Sequence, residues 1–299
     1  MTYFYGLMTA LWLCCVSFSA NGQESSNLQW HGYFSQGITQ SIDSDFITSD
    51  NQISAELTEI GLNGLYQVAS NISIAGQVVY LDGGNRFEQG SRLDYLFIDW
   101  TVDDIAGWQA QIHLGRYKNS HWLYSVTRDV PQTRDTAVLP QSVYFDGFRD
   151  VALGSNGIQT RFSKYTDNHV WEVNWSYGRS TINEEQRDYL LGSLALGEIK
   201  QDFVHQFSVF WQPASMNWKL GASWLDSDFE YIPLEQDNRF AGMSNIRRFM
   251  ISMQYFSENW ELSSELLREI QDFNGVFTPD YYDKRTGEGG FVQLRYLFS

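Results

Sequence analysis

The sequence predicts an all-β fold: a transmembrane, up-and-down antiparallel β-barrel of about twelve strands. Three observations carry this. Segments near ten residues long, alternating apolar with polar side chains, recur from Leu28 to Phe298, and that is the length a tilted strand needs to cross a bilayer. The links between them run short, long, short, long, as tight turns and long loops sort to opposite rims of such a barrel. Aromatic residues make up 16% of the chain against 19% charged, with 11 Trp, 17 Tyr and 20 Phe. That is more than a soluble core needs, and it suits two interfacial girdles. An aromatic-rich soluble sandwich shares the composition but has no reason to sort its loops by parity.

The chain opens with an apolar run, Tyr3 to Phe18, followed by small residues at Ser19, Ala20 and Gly22. It reads as a secretory signal over 1–22, cleaved after Ser19 or Gly22, which leaves 23–299 as the barrel. The absence of Lys or Arg ahead of the run departs from the signal pattern, and an uncleaved anchor is the alternative. Both cysteines, Cys14 and Cys15, lie in this run. A cleaved chain therefore folds without disulfides in an oxidising compartment. No later run reaches 18 apolar residues, so no transmembrane helix is expected. Mean hydropathy is −0.35, which a barrel tolerates because lipid-facing and lumen-facing residues average out. The formal charge of −16 argues against nucleic acid as a partner.

Taken in order, the first strand covers Leu28 to Ile38, with Trp30 and Phe34 opposite His31 and Ser35. The second, near Ser54 to Val68, alternates poorly. In the third, Ile72, Ile74, Val78 and Tyr80 share a face. In the fourth, Arg92 to Val102, it is Leu96, Ile98, Trp100 and Val102. The fifth sets Trp108, Ala110, Ile112 and Leu114 against Gln109, Gln111 and His113, and the sixth sets Ile158, Thr160 and Phe162 against Gln159, Arg161 and Ser163. The seventh sets Trp171, Val173, Trp175 and Tyr177 against Glu172, Asn174 and Ser176. The eighth spans Phe203 to Gln212, and the ninth opposes Trp218, Leu220, Ala222 and Trp224 to Lys219, Gly221 and Ser223. The tenth groups Phe249, Ile251, Met253 and Tyr255. The eleventh, Trp260 to Ile270, alternates Leu262 and Leu266 with Glu261 and Glu265. The last opposes Val292, Leu294, Tyr296 and Phe298 to Gln293 and Arg295.

The polar faces define a wet interior. An Arg or Lys turned to lipid at mid-membrane would cost about 2–4 kcal/mol. Arg161, Lys219 and Arg295 are therefore expected on the lumen wall, opposed by Glu172, Glu261 and Glu265. Twelve is an even count that returns the C-terminus to the short-turn side. The end, Phe291 to Ser299, resembles an outer-membrane assembly strand, but Ser299 follows the aromatic and leaves a larger barrel of 14 or 16 strands open.

The third long link, about 117–155, has no period of 2 or 3.6 and mixes arginines with aspartates. A long insertion of this kind is usually functional or disordered. Here it reads as a loop folded into the lumen. Arg116, Lys118, Arg128 and Arg134 would present positive charge, with Asp129, Asp135 and Asp146 holding the loop or facing them. The bland alternative is a structural salt-bridge network in an occluded barrel. Strict alternation would carry Arg116 and Lys118 onto the lipid face with Trp108 and Leu114, so the strand is expected to end or bulge near Gly115.

Catalytic signals are weak. Ser155-Asn156-Gly157 resembles part of an outer-membrane phospholipase motif, but Leu153 stands where that family has its His, and a Ser without its base is not activated. No metal-ligand spacing or phosphate-cradling glycine pattern exists, so no cofactor is expected. Acidic clusters in the long links, such as Asp43 and Asp45 or Glu184 and Glu185, suit solubility or cation bridging to lipopolysaccharide. Residues 184–196 could form a short helix in a loop.

The strings Leu114-Gly115-Arg116-Tyr117-Lys118, Thr127-Arg128-Asp129-Val130 and Leu139-Pro140-Gln141-Ser142-Val143-Tyr144-Phe145-Asp146 resemble proteobacterial outer-membrane porins of the phosphate-selective O and P type and related porins. The match covers about forty residues. It implies a homotrimeric passive channel in the outer membrane of a Gram-negative bacterium, conducting small solutes, with its third extracellular loop as constriction. Many family barrels have more strands, and the family's phosphate-binding ladder has no residue-by-residue counterpart here. The expected function is passive diffusion of small hydrophilic or ionic solutes with slight anion preference. A closed barrel serving surface binding or adhesion is the alternative, and a phospholipase a distant third.

Overall fold

The computed structural model describes residues 27–49 and 52–298. The signal expected over 1–22 lies outside them. Twelve strands form one sheet in sequence order: β1 (Leu28–Gln40), β2 (Ile53–Ala69), β3 (Ile72–Asp82), β4 (Gly90–Ile105), β5 (Trp108–Lys118), β6 (Gly154–Tyr165), β7 (His169–Arg179), β8 (Glu198–Pro213), β9 (Trp218–Ile232), β10 (Gly242–Phe256), β11 (Trp260–Gly275) and β12 (Tyr282–Tyr296). Every neighbouring pair is antiparallel. This is the up-and-down architecture of a transmembrane barrel. Links at one rim are tight (70–71, 106–107, 166–168, 214–217, 257–259). Those at the other are longer, above all 119–153 and 180–197.

The two faces are sorted inside out relative to a soluble protein. Trp30, Phe34, Ile74, Leu96, Trp100, Leu114, Trp175, Phe207, Trp224, Ile251, Leu266 and Val292 are exposed, while Gln77, Gln159, Asn174, Ser208, Ser252 and Glu265 are buried. So large a continuous apolar exterior matches a hydrocarbon surrounding. Trp108, Tyr165, Trp171, Trp211, Trp218, Tyr255, Trp260 and Tyr296 all lie at strand ends bordering the tight turns. Two facing pairs, Trp218 with Tyr255 and Trp260 with Tyr296, have centroids 4.6 Å apart. This is one interfacial girdle.

Strands run from 11 to 17 residues, longer than the alternation alone indicates. β11 continues past Ile270 to Gly275 because hydrogen bonding persists after its outward residues turn polar at Arg268, Asp272 and Asn274. Hydrophobic periodicity ends there, but the ladder does not. Among the described residues no ladder joins β12 to β1, and both edge strands are held from inside by the 119–153 loop. That loop contains the short helix α1 (Arg149–Leu153), and 180–197 contains α2 (Glu184–Leu191). Helix α2 starts at a capping box in which Asn183 accepts from the Gln186 backbone and Gln186 reaches back to Asn183.

Candidate functional site: the lumenal loop

The expected break near Gly115 does not occur. The β5–β6 ladder runs without a slip from Gln109↔Ser163 to Lys118↔Gly154, so the loop starts at 119, although the last strand residue, Lys118, turns inward to Asp94 and Asp129 instead of following Arg116 outward. Gly115 instead absorbs a local twist, with φ +133°, and a Cβ there would lie 2.5 Å from the Leu96 carbonyl oxygen. Arg116 pairs directly with Leu96 on β4 and Asn156 on β6, and directly opposed residues share a face. Leu96 and Asn156 are both exposed. Arg116 is therefore outside the barrel wall and leaves the set of expected constriction residues.

The rest of the loop enters the lumen. Its first residues cross toward β7 and β8: Ser208 Oγ donates to the Ser120 carbonyl at 3.1 Å, and His121 Nε2 meets Ser176 Oγ at 3.0 Å. Burial pulls the His121 imidazole down to about 3, so it is neutral near pH 7. The chain then packs Trp122, Tyr124, Leu139, Val143 and Tyr144 against Met250 and Phe291 on the opposite wall. Glu265 on β11 is the anchor. Its carboxylate accepts from the Leu123 backbone at 3.0 Å, from Ser252 Oγ at 2.7 Å, and from the Tyr144 hydroxyl. Burial, reinforced by that carboxylate, pushes the Tyr144 phenol well above its ordinary range. Tyr124 OH donates to Ser263 Oγ at 3.1 Å.

The middle of the loop is stitched by charges. Lys118 Nζ lies 2.8 Å from both Asp94 and Asp129, and Arg149 takes the other oxygen of Asp129. Arg128 and Arg86 share Asp146. Arg134 reaches Glu59 on β2 at 2.5 Å, and Asp135 reaches Arg295 on β12 at 2.7 Å. Tyr33 on β1 donates to the Asp129 carbonyl. Consecutive loop residues thus bind the strand next to one edge of the sheet and the strand at the other edge. Lys118, Arg128, Asp129 and Asp146 are only 2–6% exposed. Lys118 and Arg128, expected to present charge to an open bore, instead close ion pairs inside protein, while Asp129 and Asp146 hold the loop. Charges this deep must be paired, because desolvation is otherwise too costly.

All six expected wall residues lie on the inner face. Arg161 pairs with Glu172, Arg295 with Glu261, and Lys219 sits 4.8 Å over the Phe210 ring. Glu265 serves the loop rather than the bore. Toward the long-loop rim, the loop, α2 and the walls of β8 to β12 line an open chamber of about 640 Å³. Trp122, Phe145 and Tyr189 contribute aromatic surface to it, and the Arg248–Glu269 pair, 2.5 Å apart, contributes charge.

Several members of the network carried little signal in the sequence. Asp94 is the extra residue where the β3–β4 register slips between Gln77 and Val78, and the broken alternation at Leu93-Asp94-Tyr95 was its trace. Glu59 and Arg86 sit in a poorly alternating strand and a loop, and Tyr144 reads as one more aromatic. Ser155 is buried, 3.4 Å from Ser180 Oγ.

No family model and no curated protein matches the chain. Among solved structures, a loop-deletion form of OmpT, an outer membrane protein of Vibrio cholerae, is similar at 10% identity and TM-score 0.42, over 92% of this chain and 90% of that one. The outer membrane channel DcaP of Acinetobacter baumannii is similar at 11% identity and TM-score 0.37, over 90% and 97%. Salmonella typhi OmpF, solved with daunomycin, is similar at 11% identity and TM-score 0.36, over 89% and 97%.

Proposed function

We propose that the protein is a bacterial outer-membrane porin that passes small hydrophilic or ionic solutes, with the 119–153 loop setting its bore. The reading rests on the inverted sorting of the wall: an apolar exterior with an aromatic girdle around an interior of Ser, Asn, Gln and paired charges. A membrane protein gains nothing from a polar interior unless that interior is wet or fully paired. Arg161 and Arg295 keep 43% and 41% of their side chains exposed, which gives the tight-turn half of the lumen a hydrated, charged wall. The loop divides this half from the chamber on the other side.

A second reading has its own support. The paired, nearly dry state of Lys118, Arg128, Asp129 and Asp146 favours a barrel that conducts nothing and serves surface binding. Planar-bilayer recording of the refolded chain separates the two. Discrete ion-conducting steps support the porin, whereas a folded, heat-modifiable barrel that stays electrically silent excludes it.

A further inference from the structure

We propose that Arg116, Asn156 and Arg179 form an external site for a phosphate-bearing lipid headgroup in the leaflet at the long-loop rim. The inference rests on the membrane reading above. The ladder places Arg116 opposite Asn156, and Asn156 opposite Arg179, so the three form one outward row across β5, β6 and β7. With strands about 4.8 Å apart, the two arginine Cα atoms are separated by about 10 Å. One phosphorylated headgroup can touch both.

The row stands where the exterior changes character. One step inward along each strand, the outward residues are Leu114, Ile158 and Tyr177. One step further out, β7 has ended and β5 and β6 are about to. Arg116 is also held in place: its Nε donates to the Leu93 carbonyl at 3.0 Å, which leaves its two terminal nitrogens for another acceptor.

Most other outward cations are paired; Lys164, which lies 5.6 Å from the Trp108 ring, and Lys284 on the edge strand β12 are the exceptions among the described residues. Lys200 pairs with Glu198 at 3.4 Å, Arg247 with Asp272 at 2.6 Å and Arg268 with Glu288 at 3.8 Å. Neither Arg116 nor Arg179 has a carboxylate within 4 Å among the described residues, although the chain carries a net −16. Two guanidinium groups at an apolar boundary, without counter-charges from the protein, match the bidentate geometry and charge of phosphate.

The test uses the full chain refolded in detergent, titrated with bis-phosphorylated lipid A and with the same lipid enzymatically dephosphorylated, and read by native mass spectrometry. The expected result is phosphate-dependent binding that falls about tenfold or more in R116Q/R179Q, through loss of charge-assisted hydrogen bonds, and is partly kept in R116K/R179K. Heat-modifiable migration must be unchanged in both variants. Equal binding of the two lipids, or no loss in the glutamine variant, overturns the proposal. Insertion into zwitterionic vesicles is scored in parallel. If wild type and variant both insert while the lipid result fails, only the headgroup site is lost; if neither inserts, the membrane reading falls and the site with it.

Discussion

Lys118, Arg128 and Arg149 in the loop network are 2–6% exposed, whereas Arg161 and Arg295 on the wall keep about two-fifths of their side chains in contact with water. Residue types and partners are the same in both groups, an arginine or lysine against a carboxylate, and all of them face the lumen. Their environments make them different devices. A buried pair contributes little as a pair, but removing one partner strands a charge away from water. An exposed pair is screened and worth at most about 1 kcal/mol, yet it remains available to a passing ion. The loop network therefore holds structure, and on the proposed porin reading the wall pairs act on permeant ions.

The largest effect expected from this contrast is at Asp129, which neutralises both Lys118 and Arg149. Asp129→Ala should cost about 3–5 kcal/mol of loop docking and raise single-channel conductance as the loop leaves the lumen. Wild-type conductance together with wild-type protease resistance of the loop would show that the charges do not hold it. Tyr144→Phe comes next. It removes the hydroxyl that donates to Glu265 and accepts from the Tyr124 backbone at 3.0 Å, and about 1–3 kcal/mol should be lost, seen as earlier thermal release of the loop.

Acid should act through His121. Docked, the imidazole stays neutral down to about pH 3, while an undocked one takes up a proton below about pH 6.5. The undocked state then binds more protons, so docking is unaffected above pH 6.5 and weakens as pH falls toward 3, by up to about 1.4 kcal/mol per unit. Conductance recorded from pH 7 to pH 4 should rise, and His121→Phe should flatten that rise. The smallest stability change belongs to Arg161→Gln, below about 1 kcal/mol. It should nevertheless shift the reversal potential in a salt gradient toward cations by freeing Glu172. A large loss of stability with an unchanged reversal potential would reverse the roles assigned to the two groups.

The architecture was legible in the sequence because lipid enforces alternation: Trp171, Val173, Trp175 and Tyr177 could face only one way, and link lengths gave the parity of the rims. The lumen wall followed by subtraction, which is why Arg161, Glu172 and Arg295 could be placed. What alternation cannot report is which cation meets which carboxylate across the lumen. Arg134 and Glu59, or Asp135 and Arg295, are joined only by the three-dimensional path of the loop. Arg116 escapes the rule against outward arginines for a related reason. The cost of an outward arginine is large only at mid-membrane, but the strand is nearly finished at Arg116 and the penalty fades toward the interface.

The seam between β1 and β12 gives the loop a second task. Asp129 holds Tyr33 on the first strand, Arg134 holds Glu59 beside it, and Asp135 holds Arg295 on the last. The plug is thus also the lacing that draws the first and last staves together. If the barrel conducts as proposed, whatever loosens the loop to let more solute through must also slacken the hoop, which couples the width of the passage to the mechanical integrity of the wall around it.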